Sequence, residues 1–338
     1  MNVSVIIPIY NVEQYIEECI ASVAAQTYKD FDIIAINDCS TDSCLEILRE
    51  CIDKYNIPKD RISIIDHERN RGLSAARNTG ILHSTAEYVY FLDSDDTITP
   101  DCLEKLVKAS LQHGKSMDMV AGNYRIDGHE IGCPHITVRE SRLNRKAYIK
   151  AYCKDKVYPM AWNKLIRRDF IIKHGLYFEE GLIHEDTLWS FQILQYLDNV
   201  GIVQDYTYIY RTRNGSIQSS TDFCQHFKAN SYIVGKLADI MFSCSLKWNR
   251  HVYNFVEEEK QRFLRDCQRN SDGHYTRELY RVIRSHPYYT PWMALLLFGY
   301  HKSMFNRIRR RDKHYSLDFE KGLEFFFKYP ENDIITSK

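Results

Sequence analysis

The stretch EYVYFLDSDD (residues 87–96) joins an apolar, aromatic run to a cluster of carboxylates. The run has the composition of a buried strand, and Asp93, Asp95 and Asp96 follow it within four residues. Two like charges about 4 Å apart repel by about 1 kcal/mol in water and by roughly 4 kcal/mol at an effective dielectric near 20. We therefore expect a cation or another polar partner to offset the charge where this strand ends.

Strands and helices are predicted to alternate on both sides of this stretch. Short apolar runs typical of strands buried on both faces are VSVIIPIY (3–10), FDIIAIN (31–37), ISIID (62–66) and MDMVAGNY (117–124). Helical patterns follow residue 11 and occupy residues 40–55, 72–84 and 100–113, and the expected caps of the first two are Asn11 and either Ser40 or Thr41. This alternation predicts an open, mostly parallel α/β sheet whose ligands bind beyond the carboxyl ends of the strands.

The pattern changes after about residue 125. Residues 126–222 are rich in Tyr, Trp, Arg and His and contain few clean strand patterns, whereas residues 223–338 are mostly helical in pattern. We therefore divide the chain into an α/β half (1–125), a second half of the same domain (126–222) and a C-terminal region (223–338).

Composition favours a globular protein without a targeting or membrane segment. The 338 residues are 44% hydrophobic, and 45 Lys and Arg balance 45 Asp and Glu, which argues neither for nor against nucleic acid; we expect no such partner. The ten cysteines form no CxxC pair, which indicates reduced thiols in a cytoplasmic protein. The N-terminus lacks signal-peptide features, and no window reaches the roughly 18–20 apolar residues of a membrane span.

Polar and aromatic residues follow three neighbouring strands of the predicted sheet. They are Pro8, Tyr10, Asn11 and Glu13 after the first strand, Asn37 and Asp38 after the second, and Asp93, Ser94, Asp95 and Asp96 after the fourth. Asp38 alone would suit an ordinary turn, but the whole set converges on one edge. A carboxylate there can accept the N3–H of uracil while a ring stacks on the base, and other carboxylates can hold ribose hydroxyls and Mg²⁺ or Mn²⁺. The edge therefore suits a nucleotide sugar, with a divalent cation offsetting the acids.

The segment NRGLSAARN (70–78) fits the same site. Gly72 and the small residues that follow permit close approach of backbone or ligand, and Arg77 offers a planar fork suited to phosphate or to an acidic neighbour. The alternative is a small-residue helix packed on the sheet, with Arg77 in a salt bridge.

A second acidic motif, HEDTLW (184–189), enters a predicted helix. Glu185 and Asp186 can supply the base that an acceptor hydroxyl needs. Alternatively, they can simply stabilise the helix by interacting with the positive end of its dipole. A zinc-protease HExxH pattern fails because Leu188 stands at the second His position.

Basic residues accompany these acids in WNKLIRRDF (162–170) and YRTRNGSIQSS (210–220). Those expected near the acidic apparatus are Lys164, Arg167, Arg168, Arg211 and Arg213, with Ser216 and Ser219 suited to phosphate oxygens. Solvated surface is the alternative for each of them.

Together these motifs resemble an inverting glycosyltransferase of family 2 with the GT-A fold. The segments VSVIIPIYN, INDCSTD, NRGLSAARNTG, YFLDSDD, WNKL and HEDTLW carry the resemblance over about residues 2–220. It implies a Rossmann-like, mostly parallel α/β sheet flanked by helices, with a helical C-terminal extension. Residues 1–125 would then bind the donor, and residues 126–222 would bind the acceptor and carry the catalytic base.

The resemblance also implies roles for individual residues. Donor contacts would come from Pro8, Tyr10, Glu13, Asp38, Arg77, Asp93, Ser94, Asp95, Asp96, Arg211, Arg213 and Ser216. Asp95 and Asp93 would hold Mn²⁺ or Mg²⁺, with Asp96 on metal or sugar. Asp186 would be the catalytic base, with Glu185 beside it. The acceptor would meet Trp162, Asn163, Lys164 and His184.

The implied reaction moves one hexosyl or N-acetylhexosaminyl group from a UDP-sugar to a glycan or lipid-linked acceptor in surface polysaccharide synthesis. The chain departs from the family pattern at NDCSTD, where Asn37 replaces an acid and Cys39 a glycine, while Asp38 remains. The processive QxxRW motif is absent, which favours single-sugar addition.

Two other function classes remain open. A sugar nucleotidyltransferase should carry a glycine-rich, basic loop after the first strand, whereas NVEQYIEE (11–18) is acidic and lacks glycine. A catalytically silent assembly protein is disfavoured by the acids at positions 38, 93, 95 and 186.

The basic and aromatic segment 287–315 predicts contact with an anionic membrane face, where lipid-linked acceptors would lie. The alternative for this segment is a helical cap with a solvated basic tip. The sequence indicates no oligomeric state.

Overall fold

The computed structural model describes residues 1–111, 117–129, 132–213, 223–244, 246 and 249–270, all within one compact unit, Met1–Thr276. Its strands are β1 (Val3–Ile9), β2 (Phe31–Asn37), β3 (Ile62–Asp66), β4 (Tyr88–Phe91), β5 (Thr97–Ile98), β6 (Met119–Asp127), β7 (Arg142–Asn144), β8 (Lys164–Arg167) and β9 (Asn199–Arg211). The described helices are α1 (Ile16–Ala24), α2 (Cys44–Lys54), α3 (Leu73–His83), α4 (Cys102–Ser110), α5 (Arg145–Tyr152), α6 (Arg168–His174), α7 (Glu185–Ile193), α8 (Phe223–Ser243) and α9 (Arg250–Asn270).

The strands form one mixed sheet in the order β3-β2-β1-β4-β8-β6-β9-β5, with β7 paired to β9. The first four strands pair in parallel, whereas β8 runs antiparallel to both β4 and β6. The predicted parallel sheet is confirmed, and it continues into a mixed second half through β8.

Burial explains the apolar runs and the small residues that follow them. Every residue of β1 is buried, as expected for a parallel strand covered on both faces. Helix α3 is buried from Ser74 to Ile81, and a Cβ added at Gly80 would meet Cγ2 of Ile6 at 2.4 Å. This close packing carries Arg77 of the same helix into the interior.

The predicted helix caps were wrong. Asn11 has a left-handed φ of 51° and its Oδ1 accepts a hydrogen bond from the Thr41 amide at 2.8 Å, while α1 begins only at Ile16. Helix α2 begins at Cys44, beyond Ser40 and Thr41. Asn11 therefore ties the loop after β1 to the loop after β2 instead of starting a helix.

The second half holds more strand than the sequence suggested. Strand β9 has 13 residues and pairs in parallel with β6, with register shifts around Asn123. Its burial does not alternate regularly, which is why a period-two pattern fails to identify it.

The predicted helical C-terminal extension is confirmed as far as Asn270 by α8 and α9. Within the described ranges, every helix is too short or too polar to span a bilayer. The membrane-contact segment 287–315 lies outside the described residues and stays a prediction.

Candidate functional site

The carboxyl ends of β1, β2 and β4 meet at one edge of the sheet. Ile9 lies opposite Asn37 and Ile6 lies opposite Phe91, so the residues that follow these strands are neighbours. Tyr10, directly after β1, is 46% exposed, and its ring is available to stack on a planar ligand. Pro8 lies buried within β1, and its predicted donor contact stays a prediction.

Asp38 is held rigidly at this edge although it is only 3% exposed. Its Oδ1 accepts hydrogen bonds from His67 Nδ1 at 2.7 Å and from the Arg71 amide at 2.8 Å. Its Oδ2 accepts from the amide of Gly72 at 2.7 Å, where the chain turns through a φ of 86°. A carboxylate has about four acceptor positions, so one position on Oδ2 is left for a ligand.

Arg77 joins the acid cluster after β4 to the acid pair of α7. Its Nη2 donates to Oδ1 of Asp93 at 2.8 Å, and its Nη1 donates to Oε1 of Glu185 at 2.5 Å. Burial disfavours the charge, yet Asp93, Glu185 and Asp186 hold the pKa of Arg77 above its ordinary value. Both Nη atoms are thus engaged by protein carboxylates, as the salt-bridge alternative expected, and the predicted donor contact of Arg77 stays a prediction.

Glu185 and Asp186 occupy the first turn of α7 in different environments. Glu185 is 7% exposed, and burial raises its pKa to about 7 against the opposing effect of Arg77. Asp186 is partly exposed, and no described residue donates a hydrogen bond to its carboxylate. Asp186 is therefore the member of the pair that is free to take a proton from a ligand.

The residue before this pair, His184, has a left-handed φ of 61°. Its Nε2 lies 2.8 Å from Nδ1 of His226 in α8, and the two rings stack at 5.0 Å. Burial, with His226 adding to it, lowers the pKa of His184. The imidazole pair ties α8 to the start of α7, and the predicted acceptor contact of His184 stays a prediction.

The structure places Asp96 against β9. This side chain is 1% exposed, and it accepts hydrogen bonds from the Tyr208 hydroxyl at 2.6 Å and from the Arg211 amide at 2.7 Å. Burial, followed by the charge of Asp95, raises the pKa of Asp96 well above its ordinary range. These bonds hold the carboxylate in the turn, and its predicted contact with a sugar or a metal ion stays a prediction.

Asp95 keeps the outward position in the same turn. Its side chain is 22% exposed, and its Oδ2 accepts a hydrogen bond from Nε of Arg213 at 2.6 Å. Arg211 pairs with Glu18, and both guanidiniums lie over the Tyr15 ring, at 5.4 Å and 5.3 Å from its centre. The Arg213 side chain thus lies against the acid turn, and the predicted donor contacts of Arg211 and Arg213 stay predictions.

Three further residues were predicted to contact the donor, and their contacts stay predictions. Ser94 is 6% exposed, and Glu13 is exposed with its Oε2 accepting from the Ser43 amide at 3.1 Å. Ser216 lies outside the described residues.

Burial argues against acceptor contacts for two of the WNKL residues. Trp162, Asn163 and Lys164 are 3%, 0% and 1% exposed, respectively. Trp162 stacks on Tyr208 at 4.5 Å, and Asn163 bonds within the β6–β8–β9 interior. The side-chain polar atoms of Asn163 and Lys164 are satisfied by protein groups, so we do not assign these two residues to an acceptor. The predicted acceptor contact of Trp162 stays a prediction.

The acids at the edge suit a divalent cation. Arg77 engages Oδ1 of Asp93 and Arg213 engages Oδ2 of Asp95, so the other oxygen of each carboxylate is not bonded by any described residue. Hard, oxygen-seeking ions such as Mg²⁺ and Mn²⁺ prefer such ligands. Two carboxylate oxygens plus substrate phosphates are a sufficient ligand set, since Mg²⁺ is usually bound through one or two carboxylates.

Sequence reasoning missed the residues that support this site. His67, Tyr208, Tyr15 and His226 each contact a predicted residue, but none of them was predicted to belong to the site. His67 follows β3 directly, and a strand-end rule applied to that strand would have found it. The others depend on contacts with residues far away in the chain.

Comparison with known proteins gives a family match and two structural likenesses. The model of the family described as "Glycosyl transferase family 2" matches residues 4–175. EpsH of Bacillus subtilis (strain 168) is 35% identical over 221 residues, which are 64% of this chain and 62% of EpsH. The matched part thus spans less than two thirds of that relative.

Among solved structures, residues 1–349 of Staphylococcus aureus TarS in complex with UDP-GlcNAc give a TM-score of 0.64 at 22% identity, covering 84% of this chain and 80% of that one. The mannosyltransferase PcManGT from Pyrobaculum calidifontis, in complex with GDP-Man and Mn²⁺, gives 0.51 at 14% identity over 97% of this chain and 88% of its own. These likenesses confirm the predicted GT-A fold.

Proposed function

The chain belongs to glycosyl transferase family 2, and from that premise we propose that it moves one sugar from a UDP-linked donor to a hydroxyl of a glycan or lipid-linked acceptor, with inversion. The observation that carries the proposal is the bridge from Asp93 through Arg77 to Glu185. It brings the donor-side acids and the acid pair of α7 into one cluster. Direct displacement needs that proximity, because the base must reach a hydroxyl that attacks the carbon bonded to the diphosphate.

The base of the donor is proposed to be uracil. Asp38 retains one acceptor position, which suits the single N3–H of uracil better than the paired donors of guanine. The exposed ring of Tyr10 supplies a stacking surface next to it. TarS, which shares the fold, was solved in complex with UDP-GlcNAc, and this supports the same donor class.

We propose that positive groups on two sides stabilise the negative charge of the leaving diphosphate. Asp95 and Asp93 would hold a divalent cation, which supplies Lewis-acid stabilisation of phosphate oxygens when it is bound. Arg213 lies against Asp95 and adds a guanidinium on the β9 side of the turn. Arg77 fixes the orientation of the Asp93 carboxylate through the 2.8 Å ion pair.

Proton removal is assigned to Asp186. Its carboxylate is partly exposed and accepts no hydrogen bond from the described residues, whereas Glu185 beside it is buried against Arg77. Asp186 therefore takes the acceptor hydroxyl proton as the new bond forms, and the attack from the face opposite UDP inverts the anomeric carbon.

The test is a panel of UDP-sugars and GDP-mannose, with Mn²⁺ or Mg²⁺, in which nucleotide release is measured. Turnover of a UDP-sugar is expected, and NMR of the product should show the inverted anomer. Asp186→Asn should lower kcat by about 10²–10⁴-fold and leave UDP affinity unchanged. The matched control is Asp169→Asn, because the Asp169 side chain is 75% exposed and should be neutral.

Two outcomes would contradict the proposal. Release of GDP with no release of UDP would exclude a UDP-linked donor. Near wild-type turnover in Asp186→Asn would remove the assignment of the base.

The acceptor is proposed to be a surface polysaccharide precursor. TarS is named as a poly(ribitol-phosphate) N-acetylglucosaminyltransferase, and an acceptor of polyol or sugar hydroxyls would suit the Asp186 base in the same way. Adding such acceptors to the release assay should raise UDP release above donor hydrolysis alone.

A further inference from the structure

Lys164 buries its ammonium between residues 158–160 and α7. It is 1% exposed at the first position of β8, and its Nζ donates to the carbonyls of Tyr158 and Pro159, each at 3.2 Å, and to that of Met160. An ammonium has three N–H donors, so this one loop satisfies all of them. The lysine therefore organises the loop that precedes its own strand.

The same ammonium is connected to α7. Nζ lies 3.5 Å from Oγ of Ser190, and that hydroxyl in turn donates to the carbonyl of Pro159. Ser190 lies in the helix whose first turn holds Glu185 and Asp186. Loop, strand and helix thus meet at one buried polar cluster.

The charges around Lys164 come from α7 and α3. Burial lowers the pKa of Lys164 to about 7, the Asp186 carboxylate opposes that fall, and the Arg77 guanidinium adds to it. An apolar residue would fill this strand position without the cost of burying an ammonium, which normally amounts to several kcal/mol.

Building on the proposed role of Asp186 as base, we infer that Lys164 is a positioning residue that holds α7, and with it Asp186, in place. It does not touch the donor or the acceptor, since it is enclosed by protein on all sides. Its contribution to the reaction passes through the base.

The main test compares kcat with UDP affinity in Lys164→Met. We expect kcat to fall by about tenfold to 100-fold, as for a displaced catalytic group, while UDP affinity measured by calorimetry stays within about twofold of wild type.

Two further variants accompany this test. Ser190→Ala cuts the side-chain tie to α7 but keeps the ammonium, so kcat should fall modestly while UDP affinity is unchanged. Lys173→Met removes an exposed lysine of α6 and should change neither quantity. A folded Lys164→Met variant with wild-type kcat, or with UDP affinity lowered in parallel with kcat, would overturn the inference.

Ser190→Ala covers the case in which Lys164→Met does not fold, because it leaves the three carbonyl bonds of the ammonium in place. Wild-type kcat in Ser190→Ala would then overturn the inference. Failure of the proposed function is distinguishable, because it shows as undiminished turnover in Asp186→Asn.

Discussion

Arg77 and Glu185 are 108 residues apart in the chain, and their Nη1 and Oε1 atoms lie 2.5 Å apart in the interior of the site. The other arm of the same guanidinium reaches Asp93 at 2.8 Å. One buried cation thus faces two carboxylates, with the Asp186 charge close enough to act on all three groups. The stability of the protein is therefore linked to the groups that the proposed reaction uses.

Replacement of this cation should be strongly destabilising. Arg77→Met leaves two buried carboxylates without their partner, and the free energy of unfolding should fall by about 3–5 kcal/mol. Chemical denaturation followed by circular dichroism measures this. The control is Arg71→Met just before α3, whose exposed pair with Glu180 should contribute less than about 1 kcal/mol. Equal losses in the two variants would contradict the bridge.

The buried carboxyl of Glu185 should make stability depend on pH. Burial raises its pKa from 4.5 to about 7, so the folded protein binds the proton more tightly than the unfolded chain. The resulting stabilisation is fully present below pH 4.5 and is lost as the pH rises through about 7.

Glu185→Gln removes this titration. The unfolding free energy of wild type minus that of the variant should therefore be larger at about pH 5 than at about pH 7.5. Urea midpoints at the two pH values measure the difference. Glu180→Gln serves as control because the Glu180 side chain is 48% exposed. The unfolding free energy of wild type minus that of this variant should be the same at both pH values. A difference for Glu185→Gln that grows with pH would reverse the sign and refute the prediction.

The hydrogen bond from Tyr208 to Asp96 should be structural. Tyr208→Phe leaves a buried carboxyl oxygen without its donor, and we expect a loss of about 1–3 kcal/mol in unfolding free energy. Tyr206→Phe on the same strand is the matched control, because Tyr206 is 58% exposed. Metal-dependent UDP affinity should persist in both variants, and its loss in Tyr208→Phe alone would contradict a purely structural role for this hydrogen bond.

Asp95 should make the affinity for the nucleotide depend on the metal ion. Calorimetry of UDP with and without Mn²⁺ should show that Asp95→Asn reduces the metal-dependent gain in affinity by at least about tenfold. Affinity without the ion should change little, because Tyr10 and Asp38 are untouched. Asp101→Asn, which breaks an exposed ion pair with Lys105, is the control. An undiminished gain in Asp95→Asn would exclude the carboxylate as a metal ligand.

The sequence predicted the sheet well where local pattern reports burial. The strand expected at residues 3–10 is observed at Val3–Ile9, and the helix expected at 72–84 is observed at Leu73–His83. Strand ends follow from the same pattern, so the position of Asp38 and Asp95 at one edge was also predictable. Strand β9 was not, because its pairing partner and its irregular burial are set by β6 and not by its own residues.

From the sequence alone, we could determine which segments are buried strands, where acids and an aromatic ring leave them, and which family the motifs resemble. Only the tertiary structure decided which acids are free. Asp95 and Asp186 keep a partly exposed carboxylate, whereas their neighbours Asp96 and Glu185 are enclosed. The physical reason is that adjacent side chains differ in direction, and what each direction meets is set by residues such as Tyr208, 112 positions away from Asp96. Local periodicity reports burial of an element but carries no information about such distant partners.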